Sequence, residues 1–221
     1  LAKQYGADRI WIVNVGHLKG YELPMEFFMD LAWDTPRWGP GSIREYTRLW
    51  AERQFGSREA EGIADVLCGY TRFNGRRKPE LLSPSTYSLV NYNEASTVVS
   101  DFKTLAENAV QIGARLPADM QDAYYELVLF PTQASALVNE LYVAAGKNAL
   151  YASQSRVATS AMAAETRRLF DADTAMMGHF NRTLAAGKWE HFMDQAHLGY
   201  LDWADPPENS LRAIPLVDLP P

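Results

Sequence analysis

Apolar and polar residues follow a helical period through most of this chain. Apolar positions that recur every three to four residues favour amphipathic helices. The stretches with this pattern, which are the predicted helices, cover residues 22–33, 42–56, 57–73, 92–114, 118–146 and 148–185. The last stretch fits either one long helix or two. The pattern predicts a mainly α fold, with a bundle of about five helices after the first of these elements.

The exception is the segment "RIWIVNVGHLKG", residues 9–20, which starts with residues 10–13 apolar on both faces and turns polar from Asn14. Such a run favours a β-strand that protein covers on both sides, as in a parallel sheet. A single strand is not stable in water, so we expect other parts of a chain to supply its partners. The predicted fold is therefore a helical bundle that is preceded by a single β-strand of an incomplete α/β domain.

Breaks in the pattern suggest three divisions of the chain. Prolines and glycines cluster at residues 35–41, and the end of the chain is rich in proline with little periodicity, as linkers are. We predict that residues 1–40 form the last strand and helix of the α/β domain. Residues 41–203 are then the helical bundle, and residues 204–221 are a linker to a further domain.

Local signals refine three of the predicted helices. Ser42 and Glu45 have the spacing of a capping box, which predicts that the Ser42 side chain caps the helix that follows it. Gly56 predicts the end of that helix. Pro131 lies inside a predicted helix and suggests a kink there.

Composition and charge narrow the class of protein. The chain has 221 residues, of which 47% are hydrophobic, enough for one large domain or two small ones. Its net charge of −6 disfavours binding to nucleic acid or to an anionic membrane surface, since both need a basic face. No run reaches the roughly 18 apolar residues of a membrane span. The single cysteine, Cys68, excludes a disulfide within the chain and is interpreted as a buried thiol.

Four stretches, taken in order, resemble glycoside hydrolase family 115, the xylan α-1,2-glucuronidases. They are "DRIWIVNVGHLKGYELPMEFFMDLAW" (8–33), "YTRFNGRRKPELLSPSTYSLVNYNEA" (70–95), "YYELVLFPTQASALVNELYVAAGKNALYASQSR" (124–156) and "GKWEHFMDQAHLGYLDW" (187–203). The resemblance implies that the first stretch closes a catalytic (β/α)8-type barrel and that the others form the helical domain after it. His17 and Gly20 stand where many members of the family have Asp and Pro.

The resemblance also implies an activity. Family members remove glucuronic acid or its 4-O-methyl ether from xylan by inversion, which requires a general acid and a general base with room between them for water. It implies that both carboxyl groups lie upstream, so that this fragment is inactive alone. It further implies glucuronoxylan or its oligosaccharides as partners, no cofactor, and a secreted or periplasmic location, although no signal segment is visible in the chain.

One predicted catalytic residue and three substrate-binding residues follow. Asn14 ends the predicted strand, where barrels place functional groups, and its amide could hold a sugar hydroxyl or a water; alternatively it bonds only to nearby backbone. His17 and Lys19 follow in the same loop, and Arg77 lies in a basic triplet. An ordinary solvated surface is the simpler interpretation of these three residues. The functional alternative is that their charge attracts the carboxylate of a uronate.

Other candidate chemistry is weak. His191, Asp194 and His197 share a helix side only loosely and match no metal-site motif, so we expect no metal. The aromatic residues near the end are more typical of packing than of a carbohydrate platform; they are Trp189, Phe192, Tyr200 and Trp203.

The alternative function is a non-catalytic helical interaction or dimerisation module. In that case the first strand would add to the sheet edge of a partner. A homodimer is compatible with the apolar content of the bundle. A native polypeptide much longer than 24.8 kDa would favour the enzyme, whereas one of that size would favour the module.

Overall fold

A computed structural model of the chain describes residues 1–200, 204 and 206–219. The described residues are mainly helical, which confirms the predicted class, and none of them forms a strand. The helices are α1 (Glu22–Trp33), α2 (Ile43–Phe55), α3 (Ala60–Asn74), α4 (Glu94–Gly113), α5 (Gln121–Tyr124), α6 (Phe130–Ser153) and α7 (Thr159–Arg182). The chain divides into two compact units, Leu1–Asp65 and Val66–Pro221. The predicted division into three domains stays a prediction.

An aromatic cluster joins α1 to α2 in the first unit. The Tyr46 ring makes edge contacts with Phe27 and Trp38, each with a centroid distance of 4.9 Å. The Tyr46 hydroxyl donates to Asp30 Oδ2 at 2.7 Å. Burial, the Asp30 hydrogen bond and the charges of Glu26 and Asp30 raise the pKa of Tyr46, which keeps the hydroxyl protonated as a donor.

The two ends of α2 can be compared with the predicted Ser42 cap and the predicted stop at Gly56. Gly56 adopts a positive φ of 86° after Phe55, so the predicted helix end is confirmed. The predicted Ser42 cap is wrong. Ser42 Oγ instead accepts from the Gly39 N–H at 2.9 Å and donates to the Gly39 carbonyl at 3.0 Å, because the turn before α2 is a 3-10 turn that occupies the hydroxyl.

The predicted strand is not confirmed in this chain. Residues 10–13 are irregular, and the side chains of Ile10, Ile12 and Val13 are exposed by 79%, 89% and 49%. A strand exists only when a neighbouring strand accepts and donates its ladder hydrogen bonds. Within the described residues no such neighbouring strand is present, so these three aliphatic side chains stay exposed, whereas Trp11 is half-buried beside the Phe28 ring.

The α6–α7 hairpin forms the core of the second unit. Leu141 and Ala145 of α6 pack with Leu169 of α7 and with Leu198 and Ile214 from the irregular segments that follow. All five side chains are at most 3% exposed. The apolar faces of these two helices are therefore buried within the second unit.

The single long stretch predicted at 148–185 is divided differently. Helix α6 continues to Ser153, and Ser155 ends it in the left-handed region with φ of 54°. The N–H groups of Ser155 and Arg156 donate to the carbonyls of Ala152 and Tyr151, which is the Schellman pattern. No glycine stands at this position, so the break between the two helices has no clear local signal in the sequence.

A π-helical turn, Tyr125–Leu129, precedes Pro131. The Phe130 N–H donates to the Tyr125 carbonyl, five residues earlier. Proline has no N–H and its ring crowds the preceding turn, so a wider turn there relieves the clash. The irregularity predicted at Pro131 is thus located one turn before it.

The described part of the predicted linker lies against the bundle. The buried Asn148 amide donates to the carbonyls of Thr159 and Val217 at 2.8 Å and accepts from the Val217 N–H at 2.9 Å. Arg167 forms an ion pair with Asp218. The linker role of residues 204–221 stays a prediction. Within the part of the chain that the structure describes, no helix has both the length and the apolarity needed to cross a bilayer.

Candidate functional site: two polar regions

The loop between the predicted strand and α1 presents three of the predicted site residues. Asn14 and His17 are exposed. Among the described residues, no hydrogen bond involves the Asn14 side chain, so its amide is available to a ligand. Lys19 Nζ lies 2.6 Å from Glu22 Oε1, which neutralises this cation locally. The fourth predicted residue, Arg77, belongs to the second unit.

A cleft of about 730 Å³ in the second unit contains Arg77. The turn after α3, the loop 83–92 and the first turns of α4 form its walls. Two arginines, four serine or threonine residues, two tyrosines and one glutamate supply its polar groups: Arg76, Arg77, Ser83, Ser85, Thr86, Thr97, Tyr87, Tyr92 and Glu94. This combination of cations, hydroxyls and aromatic rings suits a polar ligand that carries negative charge.

The two arginines of the cleft have different partners. Arg76 lies 2.6 Å from Asp101 Oδ2 and covers the Phe73 ring at 4.4 Å, so its charge is balanced and its plane is fixed. Arg77 Nε donates to the Leu81 carbonyl at 3.1 Å. Among the described residues Arg77 makes no ion pair, which leaves the outer edge of its guanidinium for an anion.

Tyr87 shows how the charges of the cleft converge. Burial raises the pKa of Tyr87 most, the charges of Arg76 and Arg77 lower it, and the charge of Glu94 raises it. The net direction is upward, so the hydroxyl stays protonated at neutral pH and can donate to a ligand. Both guanidinium groups and one carboxylate therefore act on the same hydroxyl.

The loop before α4 is held in an unusual conformation. Glu94 Oε2 accepts from the Ser88 N–H at 2.7 Å, and the Ser88 hydroxyl accepts from the Asn91 N–H at 3.0 Å. Tyr92 and Asn93 both adopt positive φ, 56° and 54°. The Tyr92 side chain is 98% exposed. Sequence reasoning missed Tyr92 and Glu94; the signal was the "NYNEA" stretch, since asparagine tolerates the left-handed region.

The histidines near the end of the chain pair with separate carboxylates. His191 Nδ1 lies 2.6 Å from Asp194, and His197 Nε2 lies 3.0 Å from both oxygens of the buried Asp173. Over the described ranges no group of three potential ligands could hold a metal ion. Trp189 and Phe192 pack against a buried cluster of phenylalanines, whereas Trp203 lies outside the described residues.

The described chain is mainly helical and carries a cleft suited to a polar ligand with negative charge. Comparisons with known proteins make this more specific. Residues 1–81 match the sequence model of glycosyl hydrolase family 115. A solved structure, described as "A novel family GH115 4-O-Methyl-alpha-glucuronidase, BtGH115A, with specificity for decorated arabinogalactans", is similar at 27% identity with a TM-score of 0.71.

This chain is much shorter than the solved enzyme that it resembles. The structural similarity covers 87% of this chain and 26% of the other, so this chain spans about a quarter of that enzyme's length. A search of the curated proteins finds no match. The resemblance to glycoside hydrolase family 115 is confirmed. All four predicted site residues lie within the matched residues 1–81, whereas the cleft residues after Leu81 lie beyond them.

Proposed function

We propose that this chain is part of a glycoside hydrolase that removes glucuronic acid or 4-O-methylglucuronic acid side chains from a polysaccharide. The observation that carries the proposal is the collinear likeness, in which a family match at residues 1–81 is continued by structural similarity over 87% of the chain. The fragment alone is inactive, because its general acid and base lie in chain segments outside these 221 residues.

The exposed apolar segment at residues 10–13 supports a role in a larger domain. Its two isoleucines need a cover that the described residues do not supply. The segment is the last strand of a (β/α)8-type barrel whose other strands come from the rest of the polypeptide. Barrel enzymes place functional groups at the carboxyl ends of their strands, which is where Asn14 stands. His17 and Lys19 lie beside it and bind the substrate.

The polysaccharide is glucuronoxylan, and decorated arabinogalactan is the second candidate because the similar enzyme is described as specific for it. Hydrolysis inverts the anomeric centre, with two carboxyl groups about 6.5–9.5 Å apart and a water between them. The enzyme is secreted or periplasmic. A homodimer formed through the helical bundle is compatible with either substrate.

The test uses the longest native polypeptide that contains these residues. Glucuronic acid release is measured on glucuronoxylan and on decorated arabinogalactan, and proton NMR identifies the first anomer released. We expect kcat/KM of the Asn14→Ala variant to fall on the order of tenfold, about 1.4 kcal/mol in the barrier. The matched control Gln154→Ala removes an exposed amide at the end of α6 and should retain full activity.

Three outcomes contradict parts of the proposal. A parent protein that releases nothing from either polysaccharide removes the enzyme assignment and favours the interaction module. An active parent with an unaffected Asn14→Ala variant makes that loop structural. An α anomer as first product excludes inversion, since the substrate linkage is α.

A further inference from the structure

The cleft around Arg77 has the features of a binding site that is independent of the loop at Asn14. Its residues come entirely from the second unit, so it does not depend on a barrel. Within the described residues, Arg77 of this cleft makes no ion pair, and its Nε donates to the Leu81 carbonyl. Other arginines of the described chain are engaged in ion pairs, as Arg44 is with Glu61 and Asp65.

Arg77 is oriented for a carboxylate. Its Nε donates to the Leu81 carbonyl, which fixes the plane of the guanidinium and leaves its terminal N–H groups unused within the described residues. A planar guanidinium recognises a carboxylate through two parallel hydrogen bonds, and prior orientation lowers the entropy lost on binding. Arg76 cannot play this part, because Asp101 already occupies it.

Tyr92 supplies an aromatic surface at the edge of the same cleft. Its side chain is 98% exposed on a backbone with φ of 56°, where a non-glycine residue costs about 1–2 kcal/mol. Strain of this kind persists where the surroundings impose it and clusters at ligand sites. The face of a pyranose ring carries axial C–H groups, and a tyrosine ring combines an apolar face with a polar tip.

Hydroxyl groups also line the cleft. Ser83 Oγ lies 3.2 Å from both Ser85 Oγ and Thr86 Oγ1, so the three hydroxyls form one linked group. Each hydroxyl can donate once and accept twice, which leaves free capacity for sugar hydroxyls. The cleft thus offers a carboxylate partner, a ring platform and hydroxyl partners within about 730 Å³.

We propose that this cleft binds one uronate residue of an acidic polysaccharide, with its carboxylate on Arg77 and its ring face on Tyr92. The site is a non-catalytic holding site in the helical module. The inference takes the class of sugar from the proposed function, but the binding itself requires no turnover.

The experiment titrates the isotopically labelled 221-residue chain with methyl α-D-glucopyranosiduronate and follows backbone amide shifts by NMR. We expect the shifted amides to lie within residues 76–98. Arg77→Ala should weaken binding roughly tenfold and Tyr92→Ala roughly threefold. The uncharged methyl α-D-glucopyranoside should bind roughly tenfold more weakly than the uronate.

Matched controls separate the site from general effects. Lys78→Ala removes a neighbouring cation that is 74% exposed and does not line the cleft. Tyr5→Ala removes a tyrosine that is 86% exposed in the first unit. Both variants should bind the uronate as the parent does. Circular dichroism checks the fold of every variant, and Arg77→Lys, which keeps the charge without the fork, replaces Arg77→Ala if that variant unfolds.

Several results would overturn the inference. Unchanged binding in both the Arg77 and the Tyr92 variants excludes the cleft. Equal binding of acetate reduces the site to a simple anion site, and equal weakening by Lys78→Ala reduces it to general electrostatics. If uronate binds but the full polypeptide releases no glucuronic acid, the enzyme proposal fails and the proposed binding site is retained. If the polypeptide releases glucuronic acid but the cleft does not bind uronate, only the proposed binding site is excluded.

Discussion

The segment that begins the chain and the α6–α7 hairpin have similarly apolar patterns but opposite environments. Ile10 and Ile12 are 79% and 89% exposed, whereas Leu141 of α6 and Ala163 of α7 are fully buried. Helix α1, although rich in apolar residues, contains no fully buried side chain. An apolar pattern therefore predicts that a surface will be buried, but it does not predict which residues bury it.

The difference has a simple physical origin. Helices satisfy their own backbone hydrogen bonds, so α6 and α7 need only apolar surfaces to pack against. The two helices themselves, α3, α4 and irregular segments of the same unit supply those surfaces. A strand needs a neighbour for its backbone as well as for its side chains. Residues 10–13 have no neighbouring strand within the described chain, and the side chains of Ile10, Ile12 and Val13 stay in contact with water.

The largest effect should come from matched truncations in the two regions. Leu141→Ala removes a fully buried side chain, and we expect it to cost about 3 kcal/mol of unfolding free energy. Ile12→Ala should change that free energy by less than about 0.5 kcal/mol in this chain. Urea unfolding followed by circular dichroism measures both. Equal costs would show that residues 10–13 are covered and would end the comparison.

A second pair of substitutions compares two asparagines. Asn148 is fully buried and makes three hydrogen bonds, two of them to Val217, whereas Asn14 is exposed. Asn148→Ala should cost about 2 kcal/mol, because it leaves backbone groups near the chain end unpaired. Asn14→Ala should leave stability unchanged. Hydrogen exchange at the Val217 amide should accelerate only in the Asn148 variant; a stable Val217 amide there would exclude this role.

The His197–Asp173 pair should make the stability of the bundle depend on pH. Burial lowers the pKa of His197, but the hydrogen bond and the charge of Asp173, together with the Gln195 carbonyl, raise it more, so the net pKa lies above the ordinary value. The stabilisation is then complete below the unfolded pKa of about 6.5 and is lost as pH rises through the higher folded-state value.

Unfolding experiments across neutral pH test this pair. The parent should lose stability as pH rises above about 6.5, whereas Asp173→Asn should lack that decline. The substitution should also cost about 1.5 kcal/mol at the acidic end of the range, because it removes a charge-assisted hydrogen bond. A decline that persists unchanged in Asp173→Asn would assign the pH dependence to another group.

The smallest effect concerns the break between α6 and α7. Ser155→Gly should stabilise the chain by about 0.5 kcal/mol, since glycine adopts the left-handed conformation without strain. The neighbouring Ser153→Gly lies in the last turn of α6 and should destabilise by a similar amount. Thermal unfolding of both variants gives the sign. Destabilisation by Ser155→Gly would mean that the serine side chain contributes to the Schellman turn.

The candidate site was only partly predictable. Arg77 was predicted because basic residues attract a uronate, and the structure places it in a polar cleft. Tyr92 and Glu94 were missed, since nothing in their local pattern shows that the chain folds back to meet Arg77. Distances between segments that are far apart in sequence are set by packing, which local periodicity does not report.

Interactions between residues close in the sequence determined several elements of this protein, and these elements were predictable from the sequence alone. The helical period predicted α1 and α4 within two residues at each end, and Gly56 predicted the end of α2, because each depends on neighbouring residues alone. Tertiary structure decided the rest. The close approach of the Pro84 carbonyl to Gly146, where a Cβ would lie 2.3 Å away, brings the loop after α3 onto α6. Such a contact depends on how the surfaces of two segments that are distant in sequence fit together. The hydrophobic pattern of the sequence describes each segment separately.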